Sequence, residues 1–146
     1  GPIAQTLEQL GVTCEIREPS SAAGLCTLST ELSIALYRLS CEAVAYLLQH
    51  APSRHVSMEM TARAADGQSI VVDVIVQSTG EALPPLADAY HPFLLSLGAS
   101  GLSEQALAHR LQLYDGHLQV VQTSPQHMHM LLRVSEPAAS FGMTCP

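Results

Sequence analysis

Residues 69–77 read SIVVDVIVQ, and this run constrains the fold more than any other in the chain. It is β-branched and nearly continuous, as expected for a strand in the middle of a sheet rather than at its edge. Asp66-Gly67 just ahead of it is a hairpin signal, and the alternating run HVSMEMTAR (55–63) supplies the partner strand. A second pair, HLQVVQTS (117–124) and HMHMLLRVS (127–135), is joined by a tight turn around Pro125, and VTCEIRE (12–18) alternates as a further strand. Three helical patterns can cover such a sheet. IAQTLEQL (3–10) is short and ends at Gly11. A long helix is capped by Ser29 or Thr30 and runs up to Pro52, and LSEQALAHRLQLY (102–114) ends at Asp115-Gly116. The order predicts an α/β (α+β) two-layer sandwich: a mixed, mostly antiparallel sheet with about three helices on one face.

The length of 146 residues suits one domain around one core, expected over residues 3–135. Gly1-Pro2 reads as a protease scar on an excised fragment, and the Pro/Ala/Ser-rich stretch 136–146 reads as a loose tail. The net charge is −7, there is no lysine, and Arg17, Arg38, Arg54, Arg63, Arg110 and Arg133 are scattered. No basic stripe exists to neutralise phosphates, which argues against nucleic-acid binding. No apolar run approaches the roughly 18 residues of a membrane span, so direct membrane insertion of this stretch is not expected. Cys14, Cys26, Cys41 and Cys145 form no C-x-x-C and are expected to be reduced, partly buried thiols. His127 and His129 share a strand face, but no third ligand is evident and no metal is expected. Residues 78–101 have no clean period; a loop of that length is functional or mobile more often than not. Within it Leu94, Leu95 and Leu97 read either as a collapsed lid or partner-binding patch, or as ordinary core.

In the long helix, Leu32, Leu36, Leu39, Ala43 and Leu47, with Ile34, Val44 and Leu48, give a wide apolar face. Arg38, Glu42, Tyr46 and Gln49 share another. Glu42 reads as a general base or as the helical partner of Arg38 four residues back, the pair being favoured.

Three stretches carry a family resemblance: ALYRLSCEAVAYLLQHA, VIVQSTGEALPP and HRLQLYDGHLQVV. From about residue 3 to 135 the chain resembles the catalytic, ATP-binding (Bergerat, GHKL-type) domain of sensor histidine kinases. It looks most like the branch of the nitrate and hexose-phosphate sensors. An ATP site of this kind needs a carboxylate to read the adenine amino group, an oxygen ligand for Mg²⁺, and glycines where backbone meets phosphate. On the resemblance, Glu42 stands where the family's acidic residue stands, and Tyr46 stands where its Mg²⁺-binding asparagine stands. His50 and Ala51 match. Ser78 replaces the adenine-reading aspartate, Gly80 is kept, and Ala82 replaces the next glycine. Gly101 is kept in the lid motif, while Ser103 and Glu104 sit at positions usually glycine and leucine. His127-Met128 take the place of a late Gly-Thr pair. A phenol with a pKa near 10 is a poor Mg²⁺ ligand and fills space an amide leaves open.

The resemblance therefore implies a pseudokinase-type module of a two-component pathway, with ATP and Mg²⁺ binding lost or weak and no cofactor. Its implied partner is a protein: the chain's own upstream segment, another kinase subunit or a response regulator. The implied location is the cytoplasm, as a domain of a membrane-anchored receptor. The alternatives left open are an ATP-binding kinase domain with an altered nucleotide mode and a small-ligand sensor reusing the pocket.

Overall fold

The structure is a computed structural model that describes residues 5, 7–9, 11–17, 28–65, 69–82 and 103–137. Its elements are β1 (Thr13–Arg17), α1 (Thr30–His50), β2 (Ser53–Ala65), β3 (Ser69–Ala82), α2 (Glu104–Gln112), β4 (His117–Ser124) and β5 (His127–Pro137). Gln5, Leu7 and Glu8 are helical ahead of β1. The strands form one five-stranded sheet in the order β1-β2-β3-β5-β4, so SIVVDVIVQ lies at its centre. Only β1 runs parallel to its neighbour; the other three pairings are antiparallel. The molecule is thus a mixed α+β layer structure with its helices on one side of the sheet.

Alternation places the core. Val56 and Met58 of β2, Ile70, Val72, Val74 and Val76 of β3, and Met128, Met130, Leu132 and Val134 of β5 are all buried on the helix-covered face. They meet Leu32, Leu36, Leu39, Ala43, Val44, Leu47 and Leu48 of α1 and Leu107 and Leu111 of α2. Ile34 departs from the expected apolar face and is 51% exposed. It lies two residues, and so about 200° around the helix, from Leu32 and Leu36, which puts it on the far side.

Several boundaries differ from the sequence reading, and those of β3, α2 and β5 bear on the site. β3 continues through Ser78, Thr79 and Gly80 to Ala82, where the loop was expected to have begun. Its last residues pair with β2, His55 opposite Thr79 and Ser53 opposite Ala82, across a register shift between Ser53 and His55. Gly80 has φ +88°, which an L side chain rarely adopts, so glycine suits this bend. Ser53, fully buried, donates its hydroxyl to the Thr79 carbonyl and holds the irregular end in place.

α2 begins at Glu104 and ends at Gln112, shorter at both ends than residues 102–114. β5 runs on to Pro137, so Glu136 does not lie in a loose tail. Its carboxylate accepts from the Ser29 backbone N–H at 2.9 Å and from the Ser29 hydroxyl at 2.7 Å. Ser29 in turn accepts from Leu32 N–H as the N-cap of α1. A negative group at this end also suits the helix dipole.

The corner from α2 into β4 is a close approach. The Gly116 N–H bonds the Leu111 carbonyl at 3.0 Å, and the Ser135 N–H bonds the Tyr114 carbonyl at 3.0 Å. A Cβ on Gly116 would lie 1.8 Å from the Arg133 carbonyl oxygen, so only glycine fits. On the uncovered face of the sheet, Arg133 of β5 forks onto Asp73 directly opposite on β3, at 2.6 and 2.9 Å.

Candidate functional site

The residues singled out from the sequence fall into two neighbouring groups, one along α1 and one at the end of β3. Glu42, Tyr46 and His50 follow each other at four-residue spacing and form one stripe of α1. α2 lies against that stripe. Arg110, near its C-terminal end, donates from Nη1 to Glu42 Oε1. Glu104, in its first turn, faces Tyr46. The two helices therefore pass each other in opposite directions.

Glu42 is not paired with Arg38, as the helical spacing suggested; Arg38 is exposed, and the partner comes from α2. The Glu42 side chain is 15% exposed, so it gains more from a guanidinium across the helix interface than from one out in solvent. Its second oxygen, Oε2, is buried without a hydrogen-bond partner among the described residues.

Tyr46 is buried, its ring 4.2 Å from that of His50. Glu104 is its neighbouring charge from α2. Burial above all, then the neighbouring negative charge and the hydrogen bond to it, push the phenol above its usual pKa. With its pKa raised, Tyr46 is a neutral phenol at neutral pH, not an anionic oxygen available to a cation. His50 is exposed, and its backbone carbonyl accepts from Gln122 Nε2 at 3.1 Å, which ties the C-terminus of α1 to β4. Ala51 is buried beside it.

Ser78 is 2% exposed and faces the core side of β3. Its hydroxyl donates to the Gln126 carbonyl at 3.0 Å and accepts from the Met128 N–H at 2.9 Å. The β3–β5 ladder ends one pair earlier, at Gln77 and His129. The serine thus replaces the next backbone pair and bridges β3 to the β4–β5 turn. Both capacities of the hydroxyl are engaged, one as donor and one as acceptor. Ser103 is similarly engaged as the N-cap of α2, accepting from Ala106 N–H at 3.0 Å.

Gly80 lies two residues past Ser78 on the same strand, and Ala82 ends that strand. Gly101 and the expected lid leucines Leu94, Leu95 and Leu97 lie outside the described residues. His127 and His129 both line a shallow cleft of about 230 Å³ with Gln77, Thr79 and Thr123. No group of three or more histidine, cysteine or acidic side chains suited to a metal ion occurs among the described residues. Burial raises the thiol pKa of both Cys14 and Cys41.

Sequence reasoning missed the partners rather than the positions. Arg110, Gln126, Met128, Gln122 and Glu136 are all distant in sequence from the groups they bind, and no spacing rule joins them.

No family model matches the chain, and no curated protein matches it. Among solved structures it is similar to the blue-light-activated histidine kinase of Erythrobacter litoralis EL346. That match has 14% identity and a TM-score of 0.48, covering 92% of this chain and 42% of that one. The histidine kinase domain of the same protein matches at 16% identity and a TM-score of 0.47, covering 92% and 61%. Full-length ShkA, crystallised with AMPPNP, matches at 17% identity and a TM-score of 0.48, covering 91% and 27%. The chain therefore spans less than two thirds of each of these proteins. No helix among the described residues is long and apolar enough to cross a membrane.

Proposed function

We propose that this chain is a non-catalytic signalling module. It keeps the framework of a histidine kinase ATPase domain but binds its own residues where that family binds Mg²⁺-ATP. The observation that carries this reading is Ser78. In the family pattern its position is an aspartate whose free carboxylate reads adenine. Here a serine hydroxyl is buried and already holds Gln126 and Met128.

The metal and phosphate positions fit no better. Tyr46 offers a neutral phenol beside Glu104, and Glu104 brings negative charge to the helix N-terminus where phosphate would sit. A hard divalent cation asks for several ionised or amide oxygens with free lone pairs, and a neutral phenol at Tyr46, where the resemblance places the metal-binding amide, is neither. Replacing the charged adenine contact by an engaged hydroxyl forfeits roughly 1.5–3 kcal/mol, or about 10–100-fold in affinity, before the metal is considered.

Output then passes through protein contact. The partner classes that suit such a module are an upstream segment of the same polypeptide, another kinase subunit or a response regulator. One observation favours a second reading, an altered nucleotide mode. Glu42 Oε2 is a buried acceptor without a partner among the described residues, and an exocyclic amine would satisfy it. Calorimetric titration with ATP, with and without Mg²⁺, up to millimolar nucleotide separates the two. No saturable heat from a folded protein is expected; a one-site isotherm would favour the second reading.

A further inference from the structure

His127 and His129 stand two residues apart on β5 and share the face of the sheet opposite the helices. Their Cα atoms are then about 6.7 Å apart, a span that two imidazoles can close onto one ion through bonds of about 2 Å. His127 is half-buried and His129 is exposed. Both line the cleft of about 230 Å³, with Gln77 and Thr79 of β3 and Thr123 of β4. Gln77 lies directly opposite His129 in the β3–β5 register. The sequence shows the histidine pair without a further ligand; strand pairing brings an amide beside it. Imidazole, amide and hydroxyl groups line the cleft, and no arginine or carboxylate does so among the described residues.

We propose that this cleft binds one divalent ion of the later first-row transition series, Cu²⁺ most tightly, with His127 and His129 as its two strong ligands. Neutral imidazole suits such ions, and the affinity of a given nitrogen site climbs along the series to Cu²⁺. The Gln77 amide oxygen is placed to serve as a weak further ligand, with water in the remaining positions. No third histidine, cysteine or acidic side chain joins the pair among the described residues, so the site keeps open positions, unlike a closed structural zinc centre. Charge favours a cation over an anion here. The chain carries −7, which draws cations and repels anions, and no arginine among the described residues stands in the cleft to oppose a cation. Mg²⁺ and Ca²⁺ ask instead for carboxylate oxygens, which this lining does not offer. A second cleft on the same face suits a metal less. Its Glu15 and His55 approach to 3.6 Å, but Arg17 already holds Glu15 at 3.0 Å and brings positive charge beside it.

Calorimetric titration of the metal-free folded chain with CuCl₂, repeated with Ni²⁺, Zn²⁺ and Mg²⁺, tests this. One Cu²⁺ per chain is expected, with Ni²⁺ and Zn²⁺ weaker and no saturable heat from Mg²⁺. His127→Ala and His129→Ala should each lower the Cu²⁺ affinity roughly tenfold or more, and Gln77→Ala by less. His109→Ala, an exposed histidine on α2, should leave it unchanged. His129 is exposed, so His129→Ala should keep the wild-type circular dichroism, and its loss of binding is then not a loss of fold. Substoichiometric Cu²⁺, which is paramagnetic, should broaden the amide signals of Gln77, Thr123, His127 and His129 before others. No saturable heat with Cu²⁺, an isotherm that both histidine variants leave unchanged, or broadening centred on another part of the chain would each overturn the proposal.

Discussion

Replacing Ser78 by alanine is the sharpest perturbation of the site, because it deletes one oxygen and leaves two backbone groups without a partner. The Met128 N–H is buried, and loses its acceptor among the described residues, which sits 2.9 Å away. A buried donor left unpaired costs about 1–3 kcal/mol. The Gln126 carbonyl is half-buried and can recruit water, so its loss adds about 1 kcal/mol or less. The sum is about 1–4 kcal/mol, a large share of the 5–15 kcal/mol typical of a domain. For a chain of this length it corresponds to a fall in Tm of about 3–12 °C. Urea denaturation followed by circular dichroism reads the free energy, and a thermal scan reads Tm. Ser78→Asp should be no milder, because a carboxylate can accept from Met128 but cannot donate to Gln126 and repels its carbonyl. If Ser78→Ala costs under about 0.5 kcal/mol, the hydroxyl does not bridge the turn, and the reading of Ser78 as engaged is wrong.

Arg110→Met removes the partner of Glu42 and is expected to cost about 1–2 kcal/mol, discounted from values for fully buried pairs because Arg110 is 43% exposed. A double-mutant cycle with Glu42→Gln should show coupling, and strictly additive single effects would mean the pair does not interact. The raised pKa of Tyr46 has a signed consequence. Below the unfolded-state value near 10 both states hold the proton; as pH rises past it the unfolded chain ionises first, so stability falls until the folded-state pKa is passed. Tyr46→Phe should therefore lose less stability than wild type above pH ~10 in alkaline unfolding, and parallel curves would contradict the burial argument. Gly116→Ala drives a Cβ into the Arg133 carbonyl and should cost more than about 3 kcal/mol or prevent folding, as measured by denaturant midpoint and soluble yield.

Much of the sheet was legible because its strands are locally consistent. SIVVDVIVQ has both the composition and the flanking turn of a central strand, and β4 and β5 are two short runs joined at the Pro125 turn. The extension of β3 was not legible, since Gly80 has weak strand propensity and the segment is held there by Ser53 and by register with β2. Glu42 shows the same limit on a helix. Four-residue spacing points to Arg38, but helix packing brings Arg110 from 68 residues away, and the less exposed setting wins. Glu136 reads as the start of a polar tail because its partner, Ser29, is 107 residues distant. The candidate site was legible as positions along α1 and at the end of β3. What each position does there depends on long-range partners, and local pattern carries no information about those.

Residue-resolved NMR titration of the folded chain with ATP and Mg²⁺ tests the central claim most directly, because it reports on the engaged groups themselves. The amides of Met128, Tyr46 and Glu104 are expected to show no saturable shift up to millimolar nucleotide, and Met128 should stay protected from hydrogen exchange. Saturable shifts centred on Met128, Ser78 and Glu42, with faster exchange at Met128 as Ser78 turns to a ligand, would contradict the claim that the chain's own residues occupy the site.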